Sequence, residues 1–216
     1  MRNKLSLLSR SVLLGCFAAP IVACASAEPE LVNAEVAALE QGEDGEASVS
    51  AELKDANGVR IGLATFRSDG EMTFVKIAAE LPAGHPSVHG LHIHANDKHD
   101  NGDGCIADPT QPPSTHFASV DGHWNPGGSH HGDHVGDMPA LFFTHSGQAS
   151  MEFLTDRFSL DDLLGRAVVL HASSDNYGNI PVGTEPNQYT PNSEAATELT
   201  QNTGNGGARI ACGIIE

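Results

Sequence analysis

Imidazoles are concentrated where an ion would need them. His123, His130, His131 and His134 crowd into the segment that ends at Asp137. Upstream stands the triplet His92-Ile93-His94, and downstream an apolar run closes on His171. The chain holds 12 histidines against 11 lysines and arginines together. Neutral imidazole is the commonest metal ligand and suits copper and zinc alike. Residues two apart on a strand share a face, so His92 and His94 point one way and Leu91 and Ile93 the other. His89 has the opposite parity and is expected to pack or hydrogen-bond internally. His171, ending a strand, can approach the pair, and His123 from a loop completes a nitrogen set suited to copper(II). His131, His134 and Asp137 offer a mixed nitrogen and oxygen set suited to zinc if one further ligand is shared. His123, with two ring nitrogens, is the residue that can be shared. No G-x-S-x-G motif occurs, so triad hydrolysis has no support, and the acids around Asp100 and Asp103 do not follow an EF-hand loop.

The elements that must position these groups read as β-structure. Val49, Ala51 and Leu53 alternate with polar residues, Asp55-Ala56-Asn57-Gly58 makes a turn, and Val59, Ile61 and Leu63 alternate again. Ser68-Asp69-Gly70 turns the chain into Met72–Glu80, and such hairpin signals suit a sandwich or barrel. Strands resume at Leu141–Thr144, Ala149–Leu154, Ala167–His171 and Arg209–Ile215, with one helical turn predicted over Ser159–Gly165. Two long loops, from Ala95 to about Pro139 and from Asn176 to Gly207, flank the histidines, and long loops within compact domains are usually functional. His99 and His116 are expected to be solvated loop residues, and Trp124 a loop anchor.

The chain has 216 residues and a net charge of −17. A basic start (Arg2, Lys4, Arg10) precedes an apolar run from Ser11 to Ala23, which is too short for an ordinary membrane span and fits a secretory signal. Residues 1–23 are therefore expected to be a signal peptide. Ile21-Val22-Ala23-Cys24 resembles a bacterial lipobox that would lipidate Cys24, while Ala25-Ser26-Ala27 offers an alternative cut after Ala27. Residues 24–46 read as a flexible tether and 47–216 as one domain. Loss of the signal removes three cations and no acid and takes the charge to −20. Such a body will not seek nucleic acid or anionic lipid. The expected location is the periplasm or cell envelope, with membrane contact only through a lipid on Cys24. Cys105 and Cys212 are the pair left in the body, and in an exported chain they most simply form a disulfide.

Val88-His89-Gly90-Leu91-His92-Ile93-His94, Gly122-His123-Trp124-Asn125-Pro126, His134-Val135-Gly136-Asp137 and Gly204-Asn205-Gly206-Gly207-Ala208-Arg209-Ile210-Ala211-Cys212-Gly213 occur in this order. Together they resemble the copper/zinc superoxide dismutases over about Val49 to Ile215. The resemblance implies an all-β fold, an eight-stranded antiparallel Greek-key barrel with two long functional loops. It implies copper on His92, His94, His123 and His171, and zinc on His123, His131, His134 and Asp137. It also implies a Cys105–Cys212 disulfide and an outer-sphere carboxylate, Asp175, linking the two sets. The implied activity is dismutation of superoxide to oxygen and hydrogen peroxide by copper cycling between Cu(II) and Cu(I), with His123 moving a proton and Arg209 guiding the anion. A homodimer is one expected assembly. The competing reading is an extracytoplasmic copper/zinc buffer without turnover, which would need neither an anion guide nor an open copper position. The pattern departs in two places: an insert around Asp108–Ser119, and a zinc-side loop reduced to Gly132-Asp133 between His131 and His134. The latter leaves open whether His130 or His131 is the ligand.

Overall fold

The computed structural model describes residues 47–84, 87–177 and 194–216. The expected signal, Cys24, the tether and the middle of the second long loop lie outside the described residues, as does His85. Among the described residues there are nine strands: β1 Ser48–Asp55, β2 Arg60–Asp69, β3 Met72–Glu80, β4 Ser87–His89, β5 Leu91–His94, β6 Leu141–Phe143, β7 Gln148–Thr155, β8 Ala167–His171 and β9 Arg209–Ile214. The same residues include two α-helices, α1 Leu160–Leu163 and α2 Glu194–Thr203, and three single 3-10 turns in the first long loop.

Period-two alternation makes the first three strands. Ala51, Leu53, Ala64, Phe66, Val75 and Ile77 turn inward and are buried, each large apolar side chain contributing roughly 1.5–3 kcal/mol on burial. The β1–β2 turn is held by the Asp55 carboxylate, which accepts from the backbone N–H of Asn57 and of Val59, both at 2.9 Å.

All ladders are antiparallel, in the order β5-β8-β9-β1-β2-β3-β7, with β4 paired to β6. β6 follows into β7 through a hairpin in which Thr144 N–H donates to Gln148 O at 2.9 Å. β4 and β5 are one strand interrupted at Gly90. On one side it carries β8; on the other it carries β6 and then the residues before β6, with an isolated bridge between His92 and Asp137. Counted as one strand, residues 87–94 link the two sheets, and the β3–β4 and β7–β8 connections cross over, in keeping with the Greek-key arrangement that the resemblance implied. A Cβ at Gly90 would overlap Asp175 Oδ1 and approach the His92 ring, so only glycine lets that carboxylate lie against the break.

Cys105 and Cys212 form a disulfide, Cα–Cα 5.7 Å, tying the first long loop to β9. The predicted helical turn is α1, with Ser159 and Asp162 closing a capping box. The second loop differs from the expected uninterrupted polar segment, because α2 occupies Glu194–Thr203. It forms because Thr200 packs into the interior, 1% exposed, and because its last turn meets the histidine loop.

Candidate metal centre

β5 delivers His92 and His94 to one face, both buried, while Leu91 and Ile93 enter the core on the other. β8 brings His171 alongside through the β5–β8 ladder. His123 is set by an isolated bridge to His94 and by Trp124 N–H donating to Ile93 O at 2.8 Å. One donor atom of each of His92, His94, His123 and His171 lies within 4.8 Å of the others. His94 Nε2 and His171 Nε2 are 3.3 Å apart. Ligands bonded at about 2.0–2.1 Å to one ion stand roughly 3.3 Å apart at a tetrahedral angle.

His123 Nδ1, His134 Nδ1 and Asp137 Oδ1 form a near-equilateral triangle with sides of 3.1, 3.2 and 3.2 Å. That is one face of a tetrahedral coordination shell. The buried His131 ring stands beside it, Nε2 3.8 Å from Asp137 Oδ1, whereas His130 is exposed. A looser grouping within 4.8 Å contains His92 with His123, His131 and Asp137. His92 is there by proximity alone, because its Nε2 already faces Asp175 Oδ2 at 3.0 Å; the triangle favours His134. Asp137 divides its oxygens: Oδ1 faces the imidazoles, and Oδ2 accepts from Gly132 N–H at 2.6 Å and His134 N–H at 3.1 Å.

Buried imidazole nitrogens without hydrogen-bond partners supply the test of fit. His92 Nδ1, His123 Nε2 and His134 Nε2 are in that state. Buried polar atoms are seldom left unpaired, and each such case calls for an explanation such as an ion. His92 Nδ1 and His123 Nε2 belong to the copper-type set, and His123 Nδ1 to the triangle, so one ring serves both. The residues fit two cations sharing an imidazole.

The electrostatics agree, because metal ligands must be unprotonated. Burial drives His92 and His94 well below the usual histidine range. It carries His123 to about 3, against a raising hydrogen bond to Asp137, and His171 to about 4. Burial alone would raise the Asp137 carboxyl, but hydrogen bonds from His123 and His134 outweigh it and hold the group ionised. Burial does raise Asp175. That carboxylate spans the two sets, 3.0 Å from His92 Nε2 and 3.8 Å from His131 Nε2.

Arg209 lies directly opposite His171 in the β8–β9 ladder. Its guanidinium donates to the carbonyls of Phe117 and Asp121, the latter at 2.5 Å. The same Asp121 carbonyl accepts from His94 Nδ1 at 2.9 Å. Phe117 and Asp121 both have positive φ, 55° and 63°, the backbone turn that aims their carbonyls at the arginine.

A copper/zinc superoxide dismutase family model matches residues 60–215. The chain belongs to the copper/zinc superoxide dismutase family. A superoxide dismutase [Cu-Zn] of Mycolicibacterium paratuberculosis is 33% identical over 173 residues, covering 78% of this chain and 74% of the relative. Its counterpart in Deinococcus radiodurans is 34% identical over 153 residues, 64% of this chain and 79% of the relative. The solved Cu/Zn superoxide dismutase from Brucella abortus, 23% identical, has the same fold, with a TM-score of 0.56 over 79% of this chain and 100% of that one.

His89 packs internally as expected, its Nδ1 donating to His171 O at 2.7 Å and its ring edge-on to Phe143. His116 is not solvated: it is 9% exposed, its Nε2 facing the carbonyls of Asp108 and Gln111, because the insert folds back on itself. His99 is exposed and paired with Asp103. Trp124 anchors its loop in the core beneath Arg166, whose guanidinium carbon lies 4.0 Å from the ring centre. Sequence reasoning passed over the Asp121 carbonyl, Arg157, and α2, whose Gln201 carbonyl accepts from His131 N–H at 2.7 Å.

Proposed function

We propose that this family member dismutates superoxide, with copper held by His92, His94, His123 and His171 and zinc by His123, His131, His134 and Asp137. The observation that carries this reading is the His123 ring: Nδ1 stands in the 3.1–3.2 Å triangle, while Nε2 is buried beside His92 and His94 without a partner. Bound copper supplies a one-electron relay, by which one superoxide leaves as oxygen and another, with two protons, as hydrogen peroxide. The protein residues do the rest. His123 Nε2 is the atom placed to hold and surrender one proton, since Nδ1 is engaged; solvent provides the second. Asp137 and Asp175 orient the rings from opposite ends and fix which nitrogen faces inward. Arg209, donating to the Asp121 carbonyl, puts a guanidinium beside His94 and His171, where its charge is felt at both rings. In a strongly acidic body it is the local attraction an anion needs.

The test is metal content per chain and superoxide decay on one sample. One copper and one zinc with fast decay, lost in His123→Ala, supports the reading. Metal retained without turnover in the unsubstituted protein would overturn it and leave a buffer.

Export is part of the same proposal. The basic start and apolar run of residues 1–23 support a signal peptide, and a disulfide suits an oxidising periplasm or cell envelope. Lipidation of Cys24, or cleavage after Ala27, is read directly from the mass of the mature N-terminus. A homodimer is checked by sedimentation.

A further inference from the structure

The zinc-side loop places two residues, Gly132 and Asp133, between His131 and His134, turning at Gly132 with φ +96°. So short a loop must present two imidazoles and a carboxylate to one point, yet the metal-facing atoms do nothing to hold its backbone from behind. Arg157 stands at that back face. Its Nη1 donates to the carbonyls of His134 at 2.8 Å and Asp137 at 3.3 Å, and its Nη2 donates to Gly132 O at 3.0 Å. One planar fork therefore takes a carbonyl from the beginning, middle and end of the loop. The base of the fork is rigid. Arg157 N–H donates to Thr155 Oγ1 at 3.2 Å at the end of β7. The next residue, Phe158, is core, 6% exposed, and its carbonyl accepts from Thr73 Oγ1 at 2.7 Å.

We propose that Arg157 is the positioning residue for zinc: its guanidinium clamps the Gly132, His134 and Asp137 carbonyls to the barrel, so that the shortened loop holds His131, His134 and Asp137 in place. The clamp works with the Asp137 carboxylate, whose Oδ2 draws in the N–H groups of Gly132 and His134 from the other side. Gly132 and His134 are thus each held by both their N–H and their carbonyl, and the imidazoles inherit the orientation. Lysine cannot replace this action in full, because a single ammonium on a flexible stem lacks the fixed fork that spans three acceptors. Asp175 and α2 hold His131 separately, so loss of the clamp loosens mainly His134 and Asp137.

The inference rests on the zinc assignment above. The experiment uses the disulfide-intact protein, unsubstituted and as Arg157→Met and Arg157→Lys, loaded with zinc and challenged with a chromogenic chelator. Outer-shell partners of metal ligands typically change metal affinity about 10–100-fold, and zinc release from Arg157→Met is expected to be faster by that order, with Arg157→Lys between. Cobalt(II) placed in the zinc site reports geometry through its visible absorption. The Arg157→Met spectrum is expected to lose intensity as the tetrahedral set opens, while melting of the metal-free protein changes little. Equal release and identical cobalt spectra in all three proteins would overturn the clamp while leaving the zinc assignment intact. If the unsubstituted protein itself takes up no zinc, the assignment falls and the clamp with it.

Discussion

Arg209 and His171 are cross-strand partners, placed side by side where the β8–β9 register shifts after Leu170. The ladder that buries Val169 against Cys212 thereby sets a cation next to a copper-type ligand. The guanidinium is kept there by two carbonyls of the first long loop. Its partner Asp121 is itself tied down, the carboxylate accepting from the N–H groups of Asp97 and Lys98, each at 2.9 Å, and from Asn101 Nδ2 at 2.7 Å.

Arg209→Ala should lower the second-order rate about tenfold, at the modest end of what local steering supplies, without loss of copper. Rates measured across ionic strength discriminate further. The native rate should fall with salt as attraction is screened, and the variant, left with an acidic surface, should lose or invert that slope. An unchanged rate and slope would show that Arg209 is not the guide.

Acid should destabilise the metal-free protein. His123 near 3 and His171 near 4 lie below the ordinary histidine value of about 6.5 that holds in the unfolded chain, so the unfolded state binds more protons in that window and stability falls as pH drops through it. His92 and His94 act in the same direction. Asp175, whose carboxyl is raised, acts oppositely, but it is one group against four. Calorimetry from pH 7 to 4 should show a steadily falling Tm, and a flat or rising Tm would contradict these placements.

Reducing the Cys105–Cys212 bond releases a loop of sequence separation 107, which the chain-entropy model values at roughly 4–5 kcal/mol. Denaturant midpoints with and without reductant measure it. The loop so freed carries Phe117 and Asp121, hence activity should decline under reductant before global unfolding begins.

Gly90→Ala inserts a methyl against Asp175 Oδ1. The carboxylate must withdraw from His92, and copper retention should drop about tenfold, the low end for such partners. Copper(II) resonance spectra of the variant should change as the ring reorients, whereas Gly58→Ala, at a turn with open space around it, should leave them alone.

The strands were legible because their signals are local: alternation from Val49 to Leu63, glycine at the turns, and His92 and His94 sharing parity. The convergence of His92, His94, His123 and His171 was legible because few other residue types do this chemistry. The preference for His131 over His130 was not, since it depends on which way a six-residue loop turns against a remote helix. α2 was hidden in a polar stretch whose Glu-Ala-Ala-Thr-Glu-Leu core, from Glu194 to Leu199, favours helix only weakly without tertiary support. Arg157 and the Asp121 carbonyl act through backbone atoms across long separations in sequence, and no spacing rule points to them. His116 looked solvated because the insert around it reads as loop, and its burial depends on carbonyls that only the folded insert presents.

Interruption of one strand at Gly90 also bears on how the protein keeps to itself. On either side of that break the strand takes a different partner, β6 against β4 and β8 against β5. An open sheet would offer a row of backbone donors and acceptors on which further chains could grow into aggregates. A strand shared between two ladders leaves fewer such rows open, so the metal-free chain is less exposed to that growth.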